Sequence, residues 1–270
     1  MSTPHNTGVV EANGTSLYYE KRGDGPSLLF IVGAGGDASD FAAVATLLAE
    51  EFTTITYDRR GFSRSPWPAG ASWTWVDQQA DDAAALLSGL GLAPAAVYGN
   101  SIGALASLSL LLHHPQLVTK VMLHEPPLMA GLADPNEGMA HLRRVVSDGK
   151  ATGGLRGGRE AFLRTGMGEA SYAALPADYR ERLLSSAATF LIHEFDRYEW
   201  YRPADEEMAA VSRPVVLLAG MESAPFFRPA AEWLASRLGT VVISLGGAHT
   251  PQRDRPQEVA AAIRKYVEQG

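Results

Sequence analysis

The sequence predicts an α/β fold, with a mostly parallel eight-stranded sheet, crossover helices and an inserted helical cap. Short apolar runs alternate with helix-like stretches along most of the 270 residues, as they do where crossovers join parallel strands. The first two runs alternate apolar with polar residues and flank Asn13–Gly14, a dipeptide typical of type I′ hairpins, whereas the later runs are continuously apolar. We therefore expect the sheet to begin antiparallel and to continue parallel.

Each predicted element is justified by its hydrophobic pattern and by the turn residues that flank it. Strands are predicted at residues 9–12, 16–21, 27–32, 53–57, 95–99, 118–124, 215–220 and 240–245. The stretches between them predict crossover helices at residues 39–50, 75–90, 102–113, 229–238 and 256–268. The last helix opens with Pro256, a favourable residue in a first helical turn.

The regular alternation stops near residue 128 and resumes near residue 214. Residues 1–128 and 214–270 are therefore predicted to form the core domain, with residues 129–213 inserted between two strands as a helical cap. The insertion has a helical pattern, which Gly153–Gly154 and Gly157–Gly158 are expected to break. A solvent-exposed hinge without a catalytic role also explains these glycines.

Composition and charge narrow the classes of function. A hydrophobic content of 46% and a charged content of 20% are typical of a soluble globular protein with one substantial core. The net charge of −7 argues against a nucleic-acid or membrane partner, because phosphate binding requires clustered Lys and Arg, so we expect a small-molecule substrate. The absence of cysteine excludes thiolate nucleophiles, disulfides and cysteine-ligated metals. The N-terminus lacks a signal-peptide pattern and no apolar run approaches the roughly 20 residues that span a bilayer, so a cytoplasmic location is expected.

The segment Gly99–Gly103 matches the nucleophile-elbow pattern Gly-x-Ser-x-Gly, with Ser101 at its centre. The pattern alone is weak because glycine fills 27 of the 270 positions, but this match lies between a predicted strand and a predicted helix. At such a strained turn the serine is lifted out of the sheet, and the Ile102 N–H at the helix start points to where an oxyanion forms. The alternative is that Ser101 merely caps an ordinary crossover helix.

A glycine-rich loop after the third predicted strand, residues 33–36, supplies the candidate for a second oxyanion donor. Glycines let backbone N–H groups approach a ligand, and the position in the loop selects the N–H of Ala34. A phosphate-binding loop is the alternative, but no Gly-Lys-Ser/Thr follows and the dinucleotide-binding spacing is missing.

His249 is the expected general base. A serine hydroxyl is a poor nucleophile until an imidazole removes its proton, and His249 comes just after the last predicted strand, at the carboxyl edge of the sheet. A hydrogen-bonded loop histidine is the alternative. Other histidines fit this place less well: His5 in the tail, His113 and His114 at a helix end, and His141 and His193 in the cap.

Three carboxylates compete to orient His249. Glu125 follows the strand at 118–124 and has a side chain long enough to reach the histidine from a neighbouring strand, so we favour it. Glu222 follows the strand at 215–220. It lies one residue before Ser223, the position at which enzymes with the chain order serine, acid, histidine usually have an aspartate. A cap residue such as Asp134 is the third candidate. Ordinary solvated surface charge is the alternative for each glutamate.

Aromatic residues of the cap are candidates for an apolar pocket wall, although packing of the cap onto the core explains them equally well. Together with Gly33 of the oxyanion loop, the candidate pocket residues are Phe190, Trp200, Tyr201 and Phe226, accompanied by Phe195, Tyr198, Trp73 and Trp75.

With these motifs in place, the chain resembles the α/β-hydrolase fold family over essentially its full length. Asp58–Ser65 is similar to the family's Asp-x-x-Gly-x-Gly-x-Ser turn, with Ser63 in place of the second glycine, and Val32–Gly33 stands where the family has His-Gly. His124–Pro127 resembles the same segment of the zearalenone-type lactone hydrolases, whose catalytic acid is a glutamate after the sixth strand.

The resemblance implies an esterase or lactonase that forms an acyl-enzyme on a Ser101–His249–Glu125 triad, without a metal or organic cofactor. Dehalogenase chemistry is disfavoured, because it uses an aspartate where the elbow has Ser101. The same fold and triad also occur in small-molecule receptors, in acyl-transfer enzymes and in enzymes that hydrolyse carbon–carbon bonds. These alternatives stay open at this point, as do the natural substrate and the oligomeric state.

Overall fold

The computed structural model describes residues 5–71, 76–132, 134–197 and 201–268, and eight strands in these ranges form one sheet. Their order is β1-β2-β4-β3-β5-β6-β7-β8; the β1–β2 and β2–β4 pairs are antiparallel and the other pairs are parallel. The predicted fold class is confirmed. The strands are β1 (His5–Ala12), β2 (Thr15–Arg22), β3 (Ser27–Ile31), β4 (Thr53–Tyr57), β5 (Ala95–Asn100), β6 (Val118–His124), β7 (Val215–Gly220) and β8 (Val242–Leu245).

The hairpin between β1 and β2 has the turn that its sequence predicts. Asn13 and Gly14 have φ values of 47° and 81°, and a type I′ turn requires positive φ at both central residues. Ala12 pairs with Thr15 directly beside the turn, so the dipeptide fixes the register of the hairpin.

Helices cover both faces of the sheet, because alternate residues of its central strands are apolar on opposite sides. Leu29, Ile31 and Val97 belong to the core under the helices at Val76–Leu90 and Ile102–His113, whereas Phe30 and Tyr98 belong to the core under the helices at Ala42–Leu48 and Pro256–Glu268. The helices outside the insertion are α1 (Ala42–Leu48), α2 (Val76–Leu90), α3 (Ile102–His113), α8 (Phe227–Leu238), α9 (Pro251–Asp254) and α10 (Pro256–Glu268).

Two predicted helices differ in their limits. The helix expected at 39–50 is preceded by a 3₁₀ turn at Ala38–Phe41, because the Asp37 carboxylate accepts the Ser39 N–H and starts the chain turning early. The helix expected at 229–238 begins at Phe227, and the short α9 is absent from the sequence-based prediction.

Residues 129–213, the helical insertion, lie between β6 and β7. Its helices are α4 (Pro135–Met167), α5 (Glu169–Ala173), α6 (Ala177–Ser185), a π-helical turn at Thr189–Glu194, and α7 (Asp205–Ala209). No helix within the described ranges has both the length and the apolar character needed to cross a membrane.

The two glycine pairs of the insertion differ in their backbone conformation. Gly153 and Gly154 interrupt α4 with non-helical backbone, as expected, but Gly157–Gly158 stays helical, so that part of the prediction is wrong. A Cβ on Gly157 would lie 2.4 Å from the Gly149 carbonyl oxygen, and one on Gly149 would lie 2.6 Å from that of Gly157. Glycine is needed there because the two arms of the kinked helix contact each other through their backbones.

Candidate active site

Ser101 occupies the sharp turn between β5 and α3. Its φ of 57° and ψ of −128° are unusual for a residue with a side chain, which is the strain expected of a nucleophile elbow. The turn is fixed by a hydrogen bond from the Ser101 N–H to the His124 carbonyl at 2.9 Å. A Cβ on Gly103 would lie 2.0 Å from the Ile31 carbonyl oxygen, so the helix passes β3 at a distance that only glycine permits.

Ile102 and Ala34 are neighbours of Ser101 in the fold. Ile102 begins α3, and Ala34 lies in the turn after β3, which is so near that a Cβ on Gly33 would lie 2.9 Å from the Ser101 Cβ. Within the described residues, the N–H groups of Ile102 and Ala34 both lack a hydrogen-bond partner. Both N–H groups are therefore open to an oxygen atom held beside Ser101.

His249 is held by a buried carboxylate. Oε2 of Glu125 lies 2.5 Å from Nδ1 of His249, and Oε1 of Glu125 accepts the Gly220 N–H at 2.7 Å. Burial alone raises the pKa of Glu125, but the hydrogen bond and charge of His249, together with His124, lower the pKa below its ordinary value. The carboxylate is therefore ionised at neutral pH and faces the imidazole.

The imidazole is fixed on further sides. The Phe227 ring stacks on His249 with 4.2 Å between ring centroids and 14° between planes. The Asn100 side chain donates a hydrogen bond to the His249 carbonyl at 3.1 Å, which links the backbone at His249 to the turn at Ser101. His249 and Ser101 line the same two cavities, and in the structure they are not hydrogen-bonded to each other.

The other two candidate carboxylates occupy different positions, and Glu222 lines one of the cavities that Ser101 and His249 also line. The Glu222 side chain is mostly exposed and lies 3.4 Å from Nη2 of Arg255, while its backbone N–H bonds to the Gly247 carbonyl. Asp134 is exposed in the segment before α4. Of the three predicted candidates, the structure brings Glu125 to His249.

Two cavities meet at Ser101. The smaller, of about 50 Å³, lies beside the turn at residues 33–36 and is lined by residues that include Gly33, Ala34, Asp40 and Arg253. The larger, of about 270 Å³, is mainly apolar. The residues that line both are Ser101, Phe162, Gly166, Met167 and His249.

The predicted pocket residues are only partly found at these cavities. Gly33 lines the small cavity and Phe226 lines the large one, but Phe190 and Tyr201 line neither. Phe190 is fully buried and packs behind Phe162 with 4.5 Å between ring centroids. Trp200, Tyr198, Trp73 and Trp75 lie outside the described residues.

Tyr201 is buried beside α3 rather than at the cavities. Its hydroxyl interacts with Ser109, and burial raises the pKa of this tyrosine above its ordinary value. Its ring therefore packs in the core, which was the alternative considered for the cap aromatics.

The sequence-based prediction missed the polar wall of the small cavity. Nη2 of Arg253 lies 2.5 Å from Oδ1 of Asp40 and 2.6 Å from the Tyr179 hydroxyl, and the Gln252 amide donates to Asp40 at 3.2 Å. These residues come from three distant parts of the chain, and no motif joins them.

Known proteins with similar sequences and structures are hydrolases. A family model described as the Alpha/beta hydrolase family matches residues 28–262. The uncharacterized hydrolase YraK of Bacillus subtilis is 33% identical over 272 aligned residues, which cover 97% of this chain and 96% of that protein. Zearalenone hydrolase of Bionectria ochroleuca is 33% identical over 122 residues, 44% of this chain and 46% of that protein. The structure of a thermophilic esterase from Thermogutta terrifontis matches the fold with a TM-score of 0.79 at 21% identity, over 98% of each chain.

Proposed function

The chain belongs to the alpha/beta hydrolase family of enzymes, and from that membership we propose that it cleaves carboxylic esters or lactones with a Ser101–His249–Glu125 triad. The observation that carries the proposal is the 2.5 Å contact between His249 Nδ1 and the buried Glu125 carboxylate. It orients an imidazole toward the cavity that also contains the strained Ser101.

In the first half-reaction, the Ser101 hydroxyl oxygen attacks the carbonyl carbon while Nε2 of His249 takes the hydroxyl proton. The carbonyl oxygen becomes an oxyanion, and the N–H groups of Ala34 and Ile102 donate hydrogen bonds to it. When the intermediate collapses, the bond to the alkoxy oxygen breaks and His249 gives its proton to the leaving alkoxide. The acyl group is then an ester of Ser101.

In the second half-reaction, His249 removes a proton from water, and the resulting hydroxide attacks the acyl carbon. Collapse of this second intermediate releases the carboxylic acid and returns the proton from His249 to Ser101. Glu125 stays ionised throughout, holds the Nδ1–H tautomer and stabilises the imidazolium.

The helical insertion is proposed as the cap that selects the substrate. Phe162, Gly166 and Met167 of α4 contribute to both cavities, so the insertion forms a wall directly above Ser101. Because the larger cavity is mainly apolar, we expect a substrate with one bulky apolar part. Similarity to zearalenone hydrolase over 122 residues supports including lactones among the substrates.

The test is hydrolysis of p-nitrophenyl acetate and butyrate by wild type beside Ser101→Ala, with a macrolactone as a second substrate. Release through many turnovers that disappears in Ser101→Ala is the expected result. Binding of the macrolactone without multiple turnover would support the receptor alternative. Product appearing mainly on an added alcohol or amine would support acyl transfer.

A further inference from the structure

The turn at residues 33–36, which we call the oxyanion turn, is hydrogen-bonded to a buried arginine. The Gly33 carbonyl oxygen accepts hydrogen bonds from Nε of Arg59 at 3.3 Å and from Nη2 of Arg59 at 2.9 Å, and also the Gly36 N–H at 3.1 Å. Arg59 follows β4 by two residues, and its side chain is fully buried.

The Gly33 carbonyl and the Ala34 N–H belong to the same peptide unit. A trans peptide is planar and its C=O and N–H bonds point in opposite directions, so fixing the Gly33 oxygen also fixes the direction of the Ala34 N–H. Arg59 holds the oxygen end of this unit, and Ala34, which carries the N–H end, lines the small cavity that Ser101 also lines. Rotation of the peptide would break both arginine hydrogen bonds.

Arg59 is in turn held by the helical insertion. Its Nη1 lies 2.5 Å from Oε1 of Glu194 and its Nη2 lies 2.9 Å from Oε2, a two-point pairing at the end of the π-helical turn. The Arg59 guanidinium also lies 4.6 Å from the centre of the Phe62 ring, which limits its movement. The planar fork of arginine suits this arrangement because it binds two acceptors at fixed angles.

The insertion reaches the next peptide unit as well. Nη2 of Arg159, from α4, donates to the Ala34 carbonyl oxygen at 2.6 Å, and its Nε donates to the Leu183 carbonyl at 3.3 Å. Arginines therefore hold two consecutive peptide units of the oxyanion turn. Arg159 belongs to the insertion, and Arg59 is paired with Glu194 of the insertion.

We propose that Arg59 is a positioning residue for the oxyanion hole and that Glu194 holds it in place, so that the hole is fully ordered only when the insertion is seated on the core. This inference rests on the proposed function, because it assigns the Ala34 N–H to transition-state stabilisation. A donor that is aimed before the reaction stabilises the oxyanion without a reorganisation cost. The substrate carbonyl carries less charge than the oxyanion and depends less on that donor, so kcat is affected more than KM.

The variants are Arg59→Lys, Glu194→Gln and the double variant, with Arg60→Lys as the matched control. Arg60 is the next residue, is equally buried and pairs with both carboxylate oxygens of Asp82 at 2.5 Å, but its remaining hydrogen bond goes to Asn13 rather than to the oxyanion turn. Loss of stability from disturbing a buried arginine is therefore common to both arginine variants.

Two measurements are made on each folded variant: kcat and KM for p-nitrophenyl butyrate, and the rate at which a fluorophosphonate modifies Ser101, followed by mass spectrometry. Removing one oxyanion donor costs on the order of 10²- to 10³-fold in kcat, so misaiming it in Arg59→Lys is expected to cost roughly 10- to 100-fold. KM changes by less than about 3-fold, the modification rate falls with kcat, and Arg60→Lys stays within about 2-fold of wild type.

Because Glu194 acts through Arg59, the double variant is expected to be no slower than Arg59→Lys. Wild-type rates in Arg59→Lys, or equal losses in Arg59→Lys and Arg60→Lys, would overturn the positioning role. The proposed function fails separately, if wild-type Ser101 is not modified at all; modification that is unaffected by Arg59→Lys overturns only the present inference.

Discussion

Glu125 and His249 are 124 positions apart in the chain, yet their side chains meet at 2.5 Å across the end of β7. Glu125 has a φ of 49°, and its backbone N–H bonds to Leu218 of β7, which turns the residue toward the neighbouring strand. The Gly220 N–H at the end of β7 donates to the second carboxylate oxygen. A glutamate after β6 thus contacts the histidine that, in this fold, an aspartate after β7 usually contacts.

The first prediction concerns the identity of the acid. Glu125→Gln is expected to lower kcat by on the order of 10³- to 10⁴-fold, because an amide can stabilise the wrong imidazole tautomer and does not stabilise the imidazolium. Glu222→Gln is the matched control, since Glu222 lines the same larger cavity but its side chain pairs with Arg255, whereas Glu125 bonds to His249. Steady-state hydrolysis of p-nitrophenyl butyrate distinguishes the two, and equal activity in both variants and wild type would remove both glutamates from the triad.

The second prediction concerns His124, the residue before Glu125, the proposed catalytic acid. It is fully buried, its Nδ1 lies 2.8 Å from the Tyr98 hydroxyl, and burial together with the nearby His249 outweighs Glu125 and lowers the pKa of His124 to about 4. Between its ordinary pKa of 6.5 and about 4, the unfolded chain binds a proton that the native state does not. The native state therefore loses stability as the pH falls through this window, by about 1 kcal/mol per pH unit and about 3 kcal/mol in all.

The measurement is the free energy of unfolding in urea at pH 7, 6 and 5 for wild type and His124→Gln. The variant removes this titration while keeping a hydrogen-bond partner for Tyr98. Below pH 6.5 the free energy of unfolding of wild type is therefore expected to fall, relative to that of the variant, by about 1 kcal/mol per pH unit. The same pH dependence of the free energy of unfolding in the two proteins would contradict a lowered pKa of His124 in the native state.

The third prediction concerns the turn that presents Ser101. Gly103→Ala is expected to lower the free energy of unfolding by about 3 kcal/mol, because its Cβ would overlap the backbone of β3, which has no room to move. Gly153→Ala is the control: it is exposed, has negative φ and has no atom within 4 Å of the added Cβ. Its change is expected to stay within about 0.5 kcal/mol. Similar losses in both variants would mean that α3 does not pass β3 as closely as the structure has it.

The strands, the nucleophile turn and the hairpin were predictable because each depends on residues that are adjacent in the chain. Asn13–Gly14 determines its own turn, and Gly99–Gly103 contains the small residues that its turn requires. The two arginines on the oxyanion turn were not predictable, since Arg59 is one of two adjacent arginines and only the folded chain distinguishes them. The same is true of Phe162, whose place depends on how the two arms of α4 pack.

The last prediction uses Phe162 to test whether the helical insertion selects substrates. Its ring lines both cavities at Ser101, so Phe162→Ala enlarges the space on either side of Ser101. We therefore expect the ratio of kcat/KM for p-nitrophenyl decanoate to that for the acetate to rise by at least about 10-fold, the discrimination that one or two methylene groups give in an apolar pocket. The ratio is expected to rise whichever of the two cavities receives the acyl chain.

Phe195→Ala is the matched control, because the Phe195 ring packs against Phe162 at 5.6 Å between centroids but lines neither cavity. Both truncations are expected to cost stability, on the order of 3 kcal/mol, and so to lower the amount of active protein. A ratio measured on one sample is independent of that amount, so loss of folding alone leaves it unchanged. A ratio that rises equally in both variants would mean that loosening of the insertion, rather than the shape of the wall at Phe162, controls access to Ser101.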